Sequence, residues 1–84
     1  MTFPTEPVTL NVEQIEELNR KLSMMRHDVN GKLSLITLAL GAFQLQPQNG
    51  ERWLNIMAEQ PQKIVADIAQ FSREMETALQ ITRS

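Results

Sequence analysis

Apolar residues recur at Ile15, Leu18, Leu22, Met25, Val29, Leu33, Ile36, Leu40 and Phe43, and every step is three or four residues. That spacing keeps one stripe on one side of an α-helix, because 3.6 residues complete a turn. Asn11 stands just before the stripe and Gln14 follows three residues later, a variant of the capping box that satisfies free N–H groups at a helix start. The pattern predicts a first helix over about residues 11–45, roughly 50 Å long at 1.5 Å per residue. Asn30-Gly31 competes with this reading, since that dipeptide often makes a two-residue hairpin turn and Leu33-Ser34-Leu35 could open a strand. The helical phase passes through it unbroken from Met25 and Val29 to Leu33 and Ile36. An interior glycine costs only about 1 kcal/mol, so the helix is the better reading.

Gln46-Pro47-Gln48-Asn49-Gly50 combines proline with Asn-Gly and predicts a turn over 46–50. A second helix over about 51–81 follows from Leu54, Met57, Ile64, Ile68, Phe71, Met75 and Ala78. Pro61 falls inside it and predicts a kink there, or a split near Gln60. Residues 1–10, with Pro4 and Pro7, read as an extended arm before a two-helix domain over 11–82. Two helices of similar length joined by a short turn lie antiparallel. The predicted fold class is all-α: an antiparallel helical hairpin that pairs with a second copy to form a homodimeric four-helix bundle. A fragment packing on some other chain is the competing reading.

Composition sharpens this. Eighty-four residues form one domain at the lower limit for a self-sufficient core, and there is no cysteine to supply a disulfide or a thiolate metal site. With one histidine, a metal site would have to recruit carboxylates or a second chain. Oligomerisation is the remaining route to stability. The net charge of −2, with both signs interspersed, argues against a nucleic-acid partner. The run Leu33–Leu45 is too short to cross a bilayer and contains Ser34, Thr37 and Gln44. Met1-Thr2-Phe3-Pro4 has no basic secretory n-region. The expectation is a cytoplasmic protein with no membrane partner.

With Ile15, Leu22, Val29, Ile36 and Phe43 as a positions, His27 falls at f, opposite the core, on a ridge with Arg20, Ser34 and Gly41. An exposed imidazole is substantially neutral at pH 7, and its free ring nitrogen is a nucleophile toward phosphorus. Asp28 is placed to hold the ring in one tautomer. Gly31 and Ser34 clear space on the same side, and Leu35 and Leu38 offer an apolar patch for a docking partner. Ser23, four residues before His27, suggests no serine–histidine chemistry, because no third member or oxyanion donor accompanies it.

The segment Met25-Arg26-His27-Asp28-Val29-Asn30-Gly31-Lys32-Leu33-Ser34-Leu35-Ile36 resembles the phospho-acceptor box of the dimerisation and histidine-phosphotransfer domain of sensor histidine kinases. The Lys-Leu-x-Leu-Ile tail is similar to the sporulation-type histidine phosphotransferases. Phe71-Ser72-Arg73-Glu74 looks like the end of that family's second helix, so the resemblance spans about residues 15–76. It implies that His27 is phosphorylated and that Asp28 orients or deprotonates it, with Asn30 and Gly31 as possible auxiliary residues. It implies docking of a response-regulator receiver domain at Ser34, Leu35 and Leu38, with Mg2+ held by the receiver and no cofactor bound by this chain.

Two positions depart from the family pattern. Gly31 stands where the family often has the Asn or Thr linked to phosphatase activity, with Asn30 as its nearest substitute, and Lys32 stands where it often has proline. Nothing in the chain resembles the asparagine- and glycine-rich boxes that bind ATP, so autophosphorylation is not expected. An ATP-binding kinase domain would have to act in trans. The expected function is a phosphotransferase-type relay between His27 and a receiver aspartate. Two other classes compete with it. One is a monomeric phosphotransfer domain, whose box has glycine four after the histidine as Gly31 is here, but which needs four or five helices. The other is a degenerate dimerisation module that binds a partner without chemistry.

Overall fold

The computed structural model describes residues 2–80. Residues 2–11 form no helix. Helix α1 spans Val12–Leu45, a single 3₁₀ turn covers Pro47–Asn49, and helix α2 spans Gly50–Ala78. There are no strands among the described residues. The part of the second helix expected to reach residue 81, and the domain end at 82, lie outside the described residues.

Asn11 starts α1 as expected. Its side chain accepts from the Gln14 N–H at 2.8 Å, and the Gln14 side chain accepts from the Asn11 N–H at 2.9 Å. The helix then continues without interruption through Asn30 and Gly31. It ends where Gln46 donates its N–H to the Ala42 carbonyl at 2.8 Å and Pro47, which has no N–H to donate, follows. Asn49 closes the 3₁₀ turn by donating to the Gln46 carbonyl at 3.1 Å.

Gly50 begins α2 and is buried against Phe43. A Cβ at residue 50 would lie 2.8 Å from Phe43 Cε2. The glycine is therefore needed for space rather than for an unusual backbone angle (its φ is −56°). This contact brings the end of α1 onto the start of α2 and directs the chain back antiparallel.

α2 is not split at Gln60: it runs through Pro61 as one helix. Pro61 cannot donate to the Met57 carbonyl. The neighbouring Gln60 side chain is buried and donates Nε2 to the Ile56 carbonyl at 2.9 Å, which satisfies its own amide inside the seam. At the far end Leu79 and Gln80 donate to Met75 and Thr77, with Gln80 in the left-handed region at φ 56°.

The seam between the helices departs from the expected stripes. On α1 it is formed by Leu18, Leu22, Met25, Val29, Lys32, Ile36, Ala39 and Phe43, all buried or half-buried. Leu33 and Leu40, placed on the stripe by sequence, are instead 48% and 47% exposed. On α2 the seam takes Trp53, Met57, Gln60, Ile64, Asp67, Phe71, Glu74 and Ala78, whereas Leu54 and Ile68 are left half open to solvent. The reason is Lys32. It lies three residues after Val29, in phase with Met25 and Ala39, and its ammonium meets Asp67 Oδ2 at 2.6 Å across the seam. A lysine can bury its stem while its charge finds a partner, so a polar letter occupies a packing position.

The hairpin measures 59 × 28 × 11 Å and is one helix thick. Among the described residues Ala39 is the only fully buried hydrophobic side chain. Trp53 is half-buried near the turn, with the Arg52 guanidinium 4.9 Å from its ring centroid and Nε1 enclosed without a hydrogen-bond partner. Leu45, the last residue of α1, is 85% exposed. No helix among the described residues is long and apolar enough to cross a membrane.

Candidate functional site

His27 lies just before the midpoint of α1, with unbroken helix on both sides. Its side chain is 89% exposed, and it points away from the seam that Met25 and Val29 enter. This is the f position that the heptad phase assigns. Nδ1 stands 3.5 Å from Asp28 Oδ1. That distance is long for a hydrogen bond, so Asp28 stands beside Nδ1 without binding it, and Nε2 is the nitrogen farther from the carboxylate.

Two cations of the preceding turns are engaged. Arg20, on the same ridge, donates Nε to Glu17 at 2.9 Å, holds the same carboxylate through Nη2, and reaches Met24 Sδ with Nη1. The hydrogen bond from Arg20 holds the Glu17 carboxyl below its ordinary value, and Glu17 in turn raises Arg20. Lys21 stands 4.0 Å from the same carboxylate. Arg20 and Lys21 are therefore turned toward Glu17.

Of the other residues expected at the site, Asn30, Gly31 and Ser34 are all exposed. A Cβ at Gly31 would meet nothing within 4 Å, so the surface one turn beyond His27 is open. Asn30, Ser34 and Leu38 come together with Leu33 and Thr37 around a shallow depression on the outside of α1. Leu38 is 70% exposed there. Leu35 is exposed but is not part of this depression, and faces the other flank of the helix.

A second hollow was not foreseen. Lys21, Met25 and Asp28 of α1 meet Gln70, Phe71 and Glu74 of α2 around a cleft of about 240 Å3. Asp28 thus stands at the boundary between the His27 surface and the interhelical cleft. The sequence carries no local signal for this, because the two sets of residues are more than forty positions apart and meet only when the hairpin closes. Among the described residues there is no group of three His, Asp or Glu side chains that could hold a metal ion.

No protein-family model, curated protein or solved structure matches this chain. Its functional reading rests on the residues themselves.

Proposed function

We propose that the chain is a histidine phosphotransfer module of a two-component relay, in which His27 accepts a phosphoryl group from, or donates it to, a receiver-domain aspartate. The observation that carries this reading is His27 itself: an almost fully exposed imidazole on a long uninterrupted helix, with a carboxylate beside one ring nitrogen and the other free. Phosphoryl transfer asks a protein mainly for in-line positioning and charge compensation. A stiff helix supplies the first.

In the accepting direction, the Nε2 lone pair attacks phosphorus of the receiver's acyl phosphate. An N–P bond forms, the P–O bond to the receiver carboxylate breaks, and that carboxylate leaves with the bonding pair. The Nδ1 proton stays beside Asp28, which stabilises the cationic ring as it forms. Donation is the reverse. The divalent ion that neutralises the phosphoryl oxygens belongs to the receiver, where Mg2+ fits an acidic oxygen-ligand pocket. Arg20 and Lys21 of this chain are held at Glu17.

The same reading places the receiver on the open surface at Ser34 and Leu38, reaching Leu35 on the adjoining flank, with Asn30 and Gly31 one turn beyond the imidazole. It takes the working form to be a homodimeric four-helix bundle in the cytoplasm, since one hairpin encloses almost no apolar side chain by itself. A kinase domain able to phosphorylate His27 would act in trans.

The test is transfer from a phosphorylated receiver. Wild type should gain an acid-labile, base-stable phosphate, and His27→Ala should gain none while keeping its helical content. Equal labelling of the two proteins would end the proposal. Leu38→Glu should reduce transfer and leave the oligomeric state unchanged; dissociation on that substitution would mean that Leu38 packs in the bundle.

A further inference from the structure

The chain contains two Asn-Gly dipeptides, Asn30-Gly31 and Asn49-Gly50, in opposite settings. Glycine has no side chain to cover its amide nitrogen, so that nitrogen can attack the side-chain carbonyl of an asparagine just before it. The attack has two requirements. The glycine N–H must leave its hydrogen bond, and the asparagine backbone must leave helical angles.

Asn30-Gly31 resists both. It lies inside α1, which runs unbroken from Val12 to Leu45, so each residue is hydrogen-bonded to the turn before it. Freeing the Gly31 nitrogen means opening a long helix from its middle, beside the ion pair of Lys32 with Asp67. Asn49-Gly50 is instead the joint between two elements. Asn49 is exposed, ends the 3₁₀ turn at φ −100° and ψ 22°, and precedes α2 without capping it through its side chain. Its Nδ2 donates to Gln46 Oε1 at 3.3 Å, a long contact. The Gly50 N–H is bonded to the Pro47 carbonyl across a single 3₁₀ turn. Bonds at such an element boundary open more readily than those inside a helix. One contact opposes the opening: the Phe43 ring packs on buried Gly50, where a Cβ would lie 2.8 Å from it.

We propose that Asn49 is a site of self-modification, converting through a cyclic imide with Gly50 to isoaspartate and aspartate at a rate set by the Phe43 ring. The Gly50 nitrogen bonds to Asn49 Cγ and gives up its proton, the Cγ–Nδ2 bond breaks, and ammonia leaves with that proton. Water then opens the imide. Attack at the Asn49 backbone carbonyl leaves isoaspartate, whose main chain is one carbon longer; attack at Cγ leaves aspartate. The two products act differently on the fold. Aspartate places a carboxylate at the start of α2, where the helix favours negative charge. Isoaspartate lengthens the link into Gly50 and moves the glycine off Phe43, the contact that directs the chain back antiparallel. None of this rests on the phosphotransfer reading.

The test is ageing of the intact protein in mildly alkaline buffer, followed by peptide mass spectrometry. Asn49 should lose its amide at least about tenfold faster than Asn30, with isoaspartate at residue 49, identified by fragmentation at its added carbon. Phe43→Ala should speed the conversion severalfold. Since that variant also weakens the whole hairpin, Phe43→Leu thins the cover over Gly50 more gently and should speed Asn49 while leaving Asn30 unchanged. The isoaspartate form, separated from the aged protein, should unfold at lower denaturant than Asn49→Asp. Conversion at Asn30 as fast as at Asn49, or an Asn49 as inert as Asn30, would overturn the proposal. Rates at Asn49 unmoved by either Phe43 variant would overturn the part assigned to the ring, and an isoaspartate form as stable as Asn49→Asp would overturn the displacement of Gly50.

Discussion

The half of the hairpin next to the turn and the half at its open end are built differently. Near the turn, Ala39, Gly50 and Gln60 are buried and Phe43 lies directly on the glycine. Small residues let the helices approach, and one ring fills the space. From the middle of the hairpin, where Lys32 meets Asp67, toward the open end, where the seam takes Glu74, the helices leave a cleft of about 240 Å3 between them. The candidate nucleophile belongs to this second half. The tight end holds the two helices in register, while the looser, wetter end carries the chemistry on the outside of α1. A reactive side chain at f asks nothing of the packing beneath it, so site and seam can vary independently.

The comparison can be broken most forcefully at its tight end. Phe43→Ala should destabilise the hairpin by about 2–4 kcal/mol, the range for removing a large ring from a core that cannot fully collapse. Denaturant unfolding at fixed protein concentration measures it. A loss below about 1 kcal/mol would mean that the turn region is not the anchor.

Two glycines give a sharper contrast, because one substitution should act with opposite sign at each. Gly50→Ala drives a methyl against the Phe43 ring and should cost about 1–3 kcal/mol. Gly31→Ala meets open space within a helix and should stabilise by about 0.5–1 kcal/mol. Equal signs in the same unfolding assay would contradict the difference between the packed glycine at the turn and the open one on the outer surface.

Across the middle of the seam, Lys32→Met leaves Asp67 without its cation at a position where both side chains are 25% exposed. The expected loss is roughly 1–2 kcal/mol, and Lys32→Met with Asp67→Leu together should recover most of it. Failure of the double variant to recover would show that the ion pair does more than satisfy its own charges.

The smallest effect concerns pH. Glu17 titrates below its ordinary value in the folded chain because Arg20 donates to it. Its contribution is therefore present above the unfolded carboxyl value of 4.5 and fades as pH falls through the lowered folded one. The pair is on the surface, so Glu17→Gln should leave the midpoint at pH 7 almost unchanged and flatten its dependence only in acid.

Much of this architecture was legible in the sequence, for identifiable reasons. Asn11 with Gln14, the unbroken phase across Asn30-Gly31, and Pro47 after Gln46 are local signals, and local hydrogen bonding and sterics decide helix ends. The outward position of His27 followed from the same phase. The seam's membership was less legible, because apolar spacing by three or four residues allows two neighbouring stripes. Leu33 and Leu40 satisfy that spacing as well as Lys32 and Ala39 do, and only the meeting of Lys32 with Asp67 selects between them. The cleft beside Asp28 and the contact of Gly50 with Phe43 are relations between helices, which no single stretch of chain encodes.

The most direct measurement of the central claim is phosphorus NMR of the intact protein after incubation with phosphorylated receiver domains. The account predicts one phosphoramidate resonance, stable in base and lost in acid, that is absent from His27→Ala. A spectrum with no protein-bound phosphorus from any receiver tried, or an unchanged resonance in His27→Ala, would contradict it.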